Sequence, residues 1–165
     1  MIVGREKLIK LFPNFADDVQ ENGIDLRIGE LYTIDEHEYS VVGCKNDEKI
    51  LPTLVKVDDD GMGYYLLKPK KYYFVKVDRE IEIPHNYTQT YLIRSTLARC
   101  GLLLISSVGD DSFKGTLMMG LYNTNDKLDI IVGKNERIIQ AVTYENDGTA
   151  KAYDGSYQNN KVYNK

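Results

Sequence analysis

The chain has 165 residues, 42% apolar and 28% charged. That is enough to bury one core, which argues for one domain and excludes disordered and collagen-like chains. Lys and Arg number 21 against 25 Asp and Glu, a net charge of −4, so the global field offers little to a nucleic-acid polymer or an anionic membrane. A small anion needs only a few local Arg and stays open as a partner.

The opening MIVGREKLIK lacks the uninterrupted apolar run of a secretory signal, and no stretch approaches the roughly 20 apolar residues of a membrane span, so a cytoplasmic protein is expected. In residues 5–12, Leu8, Ile9, Leu11 and Phe12 fall at helical spacing ahead of Pro13, which predicts a short helix. From Ile24 the period changes to two. Ile24, Leu26 and Ile28 alternate with Asp25 and Arg27, and Tyr73, Val75 and Val77, then Ile81 and Ile83, repeat the pattern of half-buried strands. Thirteen Tyr and four Phe without any Trp fit that reading.

One helix interrupts the β run. Residues 96–100 are predicted helical, with Ser95 as N-cap and Gly101 as the stop. Strands are predicted over 114–123, 128–132 and 137–145, the last two joined by Gly133-Lys134-Asn135 as a hairpin turn. Strand following strand at short intervals argues for a sandwich or barrel. Beyond residue 145 the composition shifts: 146–165 holds four Asn, three Gly or Ser and three Tyr, with Val162 its only aliphatic residue larger than Ala. Such a tail builds no core, so its composition favours disorder, with ordering over a ligand or neighbouring subunit as the alternative.

Most polar clusters have plain readings. Asp58-Asp59-Asp60-Gly61 lacks the alternating ligands of a calcium loop and reads as a solvated turn. Cys44 and Cys100 have no metal-like spacing and read as buried thiols. His37 and His85 lack a triad partner motif and read as incidental. No H-x-E followed by P-C-x-x-C is present, which removes the zinc-dependent nucleobase deaminases. The informative stretch is IRSTLARCGLLLISSVGDDSFKGTLMMGLYN with RIIQAV after it. Arg94, Ser95, Thr96 and Arg99 gather at the start of the short helix, either as an anion site or as a capped helix with surface Arg.

RSTLAR, the Asp in GDDSFKGTL, RIIQAV and the early GIDLRIG together resemble the superfamily of trimeric dUTP diphosphatases and metal-free dCTP deaminases. The helix before GIDLRIG, LLKPKKYYFVKVDREIEIP and the tail YDGSYQNN resemble the deaminase branch. The resemblance runs from Met1 to about Asn160. It implies a mainly β fold, a distorted jelly-roll-type barrel over 1–145, assembled as a homotrimer with a site at each interface, and a tail over 146–165 that orders on the nucleotide.

The resemblance also implies roles. Arg94, Ser95, Thr96 and Arg99 hold the triphosphate or order the site, and Gln140 contacts nucleotide or phosphate. Asp110 activates a water, Phe113 packs on the deoxyribose, backbone groups between Ser106 and Phe113 select the base, and Tyr157 lies near base or sugar. No protein ligand set for a metal is implied; Mg²⁺ is held by phosphates and water. Two positions depart from the deaminase pattern. Its Glu ten residues after the Asp is Gly120 here, and Ser156 replaces a phosphate-binding Lys ahead of Tyr157. Glycine moves no proton, and only Asp111 or Asp126 remain for that role. The expected activity is therefore a hydrolase converting dUTP to dUMP and pyrophosphate with Mg²⁺. The alternatives are a dCTP deaminase with another acid/base group and a non-catalytic nucleotide-binding homologue.

Overall fold

The alternating apolar positions of the long N-terminal strand set the frame for everything after it. The computed structural model describes residues 1–35, 40–42 and 49–161. Helix α1 (Arg5–Leu11) buries Leu8 and ends ahead of a 3₁₀ turn, Pro13–Asp18, that buries Phe15. Strands β1 (Val19–Gln20) and β2 (Gly23–Ile34) follow. The remaining strands are β3 (Val41–Val42), β4 (Lys49–Ile50), β5 (Leu54–Val57), β6 (Tyr64–Leu67), β7 (Tyr72–Val77), β8 (Ile81–Glu82) and β9 (Tyr87–Ile93). After helix α2 (Ser95–Arg99) come β10 (Leu102–Ile105), β11 (Lys114–Gly115), β12 (Met118–Asn123), β13 (Ile130–Gly133) and β14 (Arg137–Glu145).

The main sheet runs β10-β12-β7-β2-β14-β9, antiparallel throughout, with β1 and β5 also on β2. Its two ends approach each other: the Ser106 hydroxyl donates to the Tyr91 carbonyl at 3.3 Å, and Gln89 and Gly109 exchange backbone hydrogen bonds of 2.8 and 2.9 Å. The result is the distorted, nearly closed β-barrel that the sequence led us to expect. Strand β2 makes this curvature possible because its first half pairs β14 and its second half lies between β7 and β5. The switch falls at an irregularity between Ile28 and Glu30, where a Cβ on Gly29 would stand 2.8 Å from the Asp78 Cα. Only glycine lets the backbones approach so closely. Inside the barrel Ile24, Leu26, Ile28, Leu31, Val75, Leu121, Ile139 and Ala141 are fully buried.

Several expectations are corrected. Strands β13 and β14 form no hairpin: β13 pairs β6, whereas β14 pairs β2 and β9. The turn chemistry is real, with Asn135 at φ 65°, but alternation tells which face a strand buries and not which strand it pairs. The strand expected over 114–123 is two, broken at Thr116-Leu117. Helix α2 starts at Ser95 and its N-cap is Arg94, which makes no side-chain cap bond. Cys100 is exposed at the end of that helix; Cys44 and His37 lie outside the described residues. The tail, through residue 161, is packed against the barrel, as described below. The Asp58–60 stretch is a turn, with Asp59 and Asp60 accepting from the backbone N–H groups of Gly61, Met62 and Tyr64. No described helix is long and apolar enough to cross a membrane.

On the barrel surface Glu30 accepts hydrogen bonds from Lys56, Lys76 and Tyr32, which hold its carboxyl down at about 2 against an ordinary 4.5. A depressed carboxylate contributes stability above its unfolded pKa and loses it as pH falls through the folded one. Glu30→Gln is therefore expected to cost about 1 kcal/mol at pH 7. Urea unfolding of the two proteins should show that gap closing between pH 4.5 and 2.

Candidate active site

Two clefts open on the barrel, and between them they take most of the polar residues singled out above. The first, of about 300 Å³, is lined by Gln20, Asp25, Leu92, Ile93, Arg94, Ser95 and Gln140. Register explains it. Leu92, Gln140 and Asp25 are direct cross-strand neighbours on β9, β14 and β2, so they share one face of the sheet, opposite the face that buries Ile139, Ala141 and Tyr91. Arg94 then leaves β9 at the edge of the row. Its guanidinium lies 3.1 Å from Asp25, and Arg137 lies 3.4 Å from the same oxygen.

Asp25 is 1% exposed. Burial raises its pKa, and the charges of Arg94 and Arg137 pull it part of the way back. A buried carboxylate between two guanidinium groups fixes where those groups stand, which leaves Arg94 aimed along the cleft as a preorganised cation. Sequence reasoning quoted Asp25 within GIDLRIG but gave it no role. By alternation Asp25 shares the polar face of the strand with Arg27, so its spacing gave no sign that it would be buried.

The second cleft is larger, about 850 Å³, and mostly apolar. Its walls include Leu54, Phe74, Tyr91, Ser107, Val108, Phe113, Met118 and Met119, and Asp110 is its single carboxylate among the described residues. Asp110 is exposed at the mouth, and Phe113 is 9% exposed in the wall. Burial pushes the Tyr91 phenol far above its ordinary pKa, with the Asp110 charge adding to it, so Tyr91 stays a neutral hydroxyl. It donates to Gln89 at 3.2 Å.

The tail closes one side of this cleft. Tyr153 and Tyr157 line it, and the Tyr153 ring packs edge-on to Phe113 at 5.9 Å. Gln158 accepts from the Lys114 N–H at 2.9 Å and donates to the Ser112 carbonyl at 2.9 Å. Asn160 accepts from the Thr116 N–H at 2.7 Å. Two side-chain amides thus pair the backbone of 112–116 as a neighbouring strand would, which is how a polar tail without a core orders itself on the barrel.

Asp110, Phe113 and Tyr157 are brought together, as are Arg94, Ser95 and Gln140. No residue lines both clefts. Thr96 and Arg99 are exposed on α2 and line neither; Ser106 is tied to Tyr91, and its neighbour Ser107 lines the second cleft instead. His85, read as incidental, holds Asp111 at 2.8 Å. At Gly120 a Cβ would stand 2.1 Å from the Tyr72 hydroxyl, so the space beside that glycine is filled by a phenol.

The nearly closed barrel thus carries one cleft holding the Arg94–Asp25 pair and a second, mostly apolar cleft with a single acid. The chain belongs to the dCTP deaminase-like family, whose model matches residues 2–146. It is 40% identical over 158 residues to a protein of Methanothermobacter thermautotrophicus named probable deoxyuridine 5'-triphosphate nucleotidohydrolase, covering 96% of this chain and 99% of that one. It is 33% identical over 152 residues to a dCTP deaminase of Pyrobaculum calidifontis, covering 91% and 82%. Among solved structures, the 2'-deoxycytidine 5'-triphosphate deaminase from Agrobacterium tumefaciens superposes with a TM-score of 0.64 at 14% identity, over 86% of this chain and 47% of that one.

Proposed function

We propose that the protein hydrolyses dUTP to dUMP and pyrophosphate. The observation that carries this reading is the solitary carboxylate. Asp110 is the one acid of the second cleft among the described residues, and the position ten residues on is a glycine with a phenol beside it. Hydrolysis needs one base to take a proton from water as its oxygen attacks phosphorus and the bond to the bridging oxygen breaks. Deamination also needs a group that delivers the proton to the base, and the cleft offers no second acid for it. The 40% identity to the probable nucleotidohydrolase, against 33% to the deaminase, favours the same reading.

In this reading Phe113 packs on the deoxyribose, backbone groups from Ser106 onward read the base, and Tyr157 closes over base or sugar. Arg94, with Arg99 on α2, neutralises phosphate charge, and Ser95, Thr96 and Gln140 hydrogen-bond the phosphates. Arg94, Ser95 and Gln140 line a cleft that shares no residue with Asp110, so in this reading a complete site takes one cleft from each of two subunits of a homotrimer. Leu92, Leu103, Ile105 and Val108 are each about half exposed, with Leu92 at the first cleft and Val108 at the second. An apolar patch joining two half-sites is what a subunit interface needs.

No three His, Cys, Asp or Glu side chains converge among the described residues, and Asp25 is engaged by two Arg. Mg²⁺, if bound, would be carried mainly by triphosphate oxygens and water, with Asp110 the carboxylate available to it in the second cleft. Bound there, the ion would neutralise charge developing on the phosphates. A free nucleotide as substrate is in keeping with a cytoplasmic protein.

A second reading, dCTP deamination, is favoured by the family and by the Pyrobaculum relative. Incubation with dUTP and with dCTP, scoring pyrophosphate and ammonia, separates them. Pyrophosphate from dUTP without ammonia from dCTP is expected. Ammonia that scales with protein concentration would replace the reading with deamination, and neither product would leave a non-catalytic nucleotide-binding protein.

A further inference from the structure

Next to Asp110 stands a second carboxylate with no place in the chemistry above. Asp111 is 6% exposed, and its side chain takes four hydrogen bonds. One oxygen accepts from the Ser112 hydroxyl at 2.6 Å and from His85 Nδ1 at 2.8 Å; the other accepts from the Asn86 N–H at 2.6 Å and from the Asn146 amide at 3.1 Å. Its own carbonyl accepts from the Tyr153 N–H at 2.8 Å. One residue therefore ties together the turn before β9, the loop carrying Asp110 and Phe113, the exit of β14 and the C-terminal tail.

The loop it holds is strained. Ser112 sits at φ 61°, a left-handed conformation that costs a residue other than glycine or Asn about 1 kcal/mol or more. Such a conformation persists only where its surroundings over-determine it, and the Asp111 carboxylate binds the hydroxyl of the strained residue itself. The turn is completed by the Phe113 N–H on the Asp110 carbonyl at 3.1 Å. The twist at Ser112 thus sets how Asp110 and Phe113 face the same cleft, and the tail that covers that cleft hangs from the same anchor.

We propose that Asp111 is a positioning residue that couples closure of the C-terminal tail to alignment of Asp110 and Phe113, so that loop and tail order or loosen as one unit. It touches no substrate. A clamp of purely structural use would change stability and leave the folded enzyme's turnover alone. The kinetic half of the proposal rests on dUTP hydrolysis; the tail half does not.

The test compares wild type, Asp111→Asn and Gln158→Leu by hydrogen exchange of the tail in nucleotide-free protein and by kcat and KM for dUTP. Asn keeps the size but turns two of the acceptor sites into a donor facing donors. The tail amides of both variants are expected to exchange at least about 10-fold faster than in wild type. In both, kcat should fall roughly 10-fold or more with KM moved far less. A tail as protected in Asp111→Asn as in wild type would overturn the proposal. So would a freed tail with unchanged kcat. Should Asp111→Asn fail to fold, Asn146→Ala removes one of the four donors, and the same two outcomes decide. If wild type hydrolyses no dUTP, the function proposed above falls, while the exchange experiment still decides whether Asp111 anchors the tail.

Discussion

Asp110→Asn is expected to lower dUTP hydrolysis by roughly 10²-fold or more while dUTP still binds. The substitution keeps the shape of the side chain and removes the basic lone pair. Because Asp110 is exposed at the cleft mouth, the change leaves no buried group unpaired, so stability should hold. Pre-steady-state binding of dUTP with single-turnover hydrolysis separates the two steps. If Asp110 only serves the turn before Phe113, Asn, itself a good turn residue, keeps most of the rate. That outcome would remove Asp110 from the chemistry.

The second large effect is a recovery. Arg94→Gln drops a cation from the first cleft while leaving a donor for the buried Asp25, which also keeps Arg137. Alone, it should lose dUTP turnover by about 10²-fold, like Asp110→Asn. Co-expressed in equal amounts, the two variants should regain about a quarter of the wild-type rate. Half of the subunits then carry a sound Asp110 and half a sound Arg94, and a site at an interface needs one of each. Activity no greater than the sum of the separate variants would show that a single chain supplies both clefts to one site, and sedimentation of an active monomer would show the same.

Much of this architecture is legible in the chain itself. The period-two runs at Ile24–Leu26–Ile28 and Tyr73–Val75–Val77 become β2 and β7, the helix ahead of Pro13 ends where expected, and RSTLAR becomes α2. These features are local: a strand's buried face and a helix's start depend on neighbours within a few residues. The β-barrel and the family follow from them together with the resemblance, whereas the roles given to Asp110, Phe113, Arg94 and Gln140 rest on the resemblance alone.

Pairing was not legible, because alternation is blind to partners. The residues 133–135 look like a hairpin and instead connect β13 on β6 to β14 on β2 and β9. The same blindness hid Asp25, which becomes a buried anchor only once Gln140 and Leu92 lie beside it across three strands. Cys100 was misplaced for a related reason: thiols are usually buried, and α2, none of whose residues is buried, lies on the outside of the barrel.

The tail makes the sharpest contrast. Its composition excludes a core of its own, and that much the sequence alone determines. Whether it orders depends on an open stretch of backbone at 112–116 for the amides of Gln158 and Asn160 to pair, and on Asp111 to hold Tyr153. Those partners lie more than 40 residues away in the chain. Side-chain type and spacing decide what each segment can bury. Which backbone groups are left unpaired, and which polar side chains reach them, is decided only when the barrel closes.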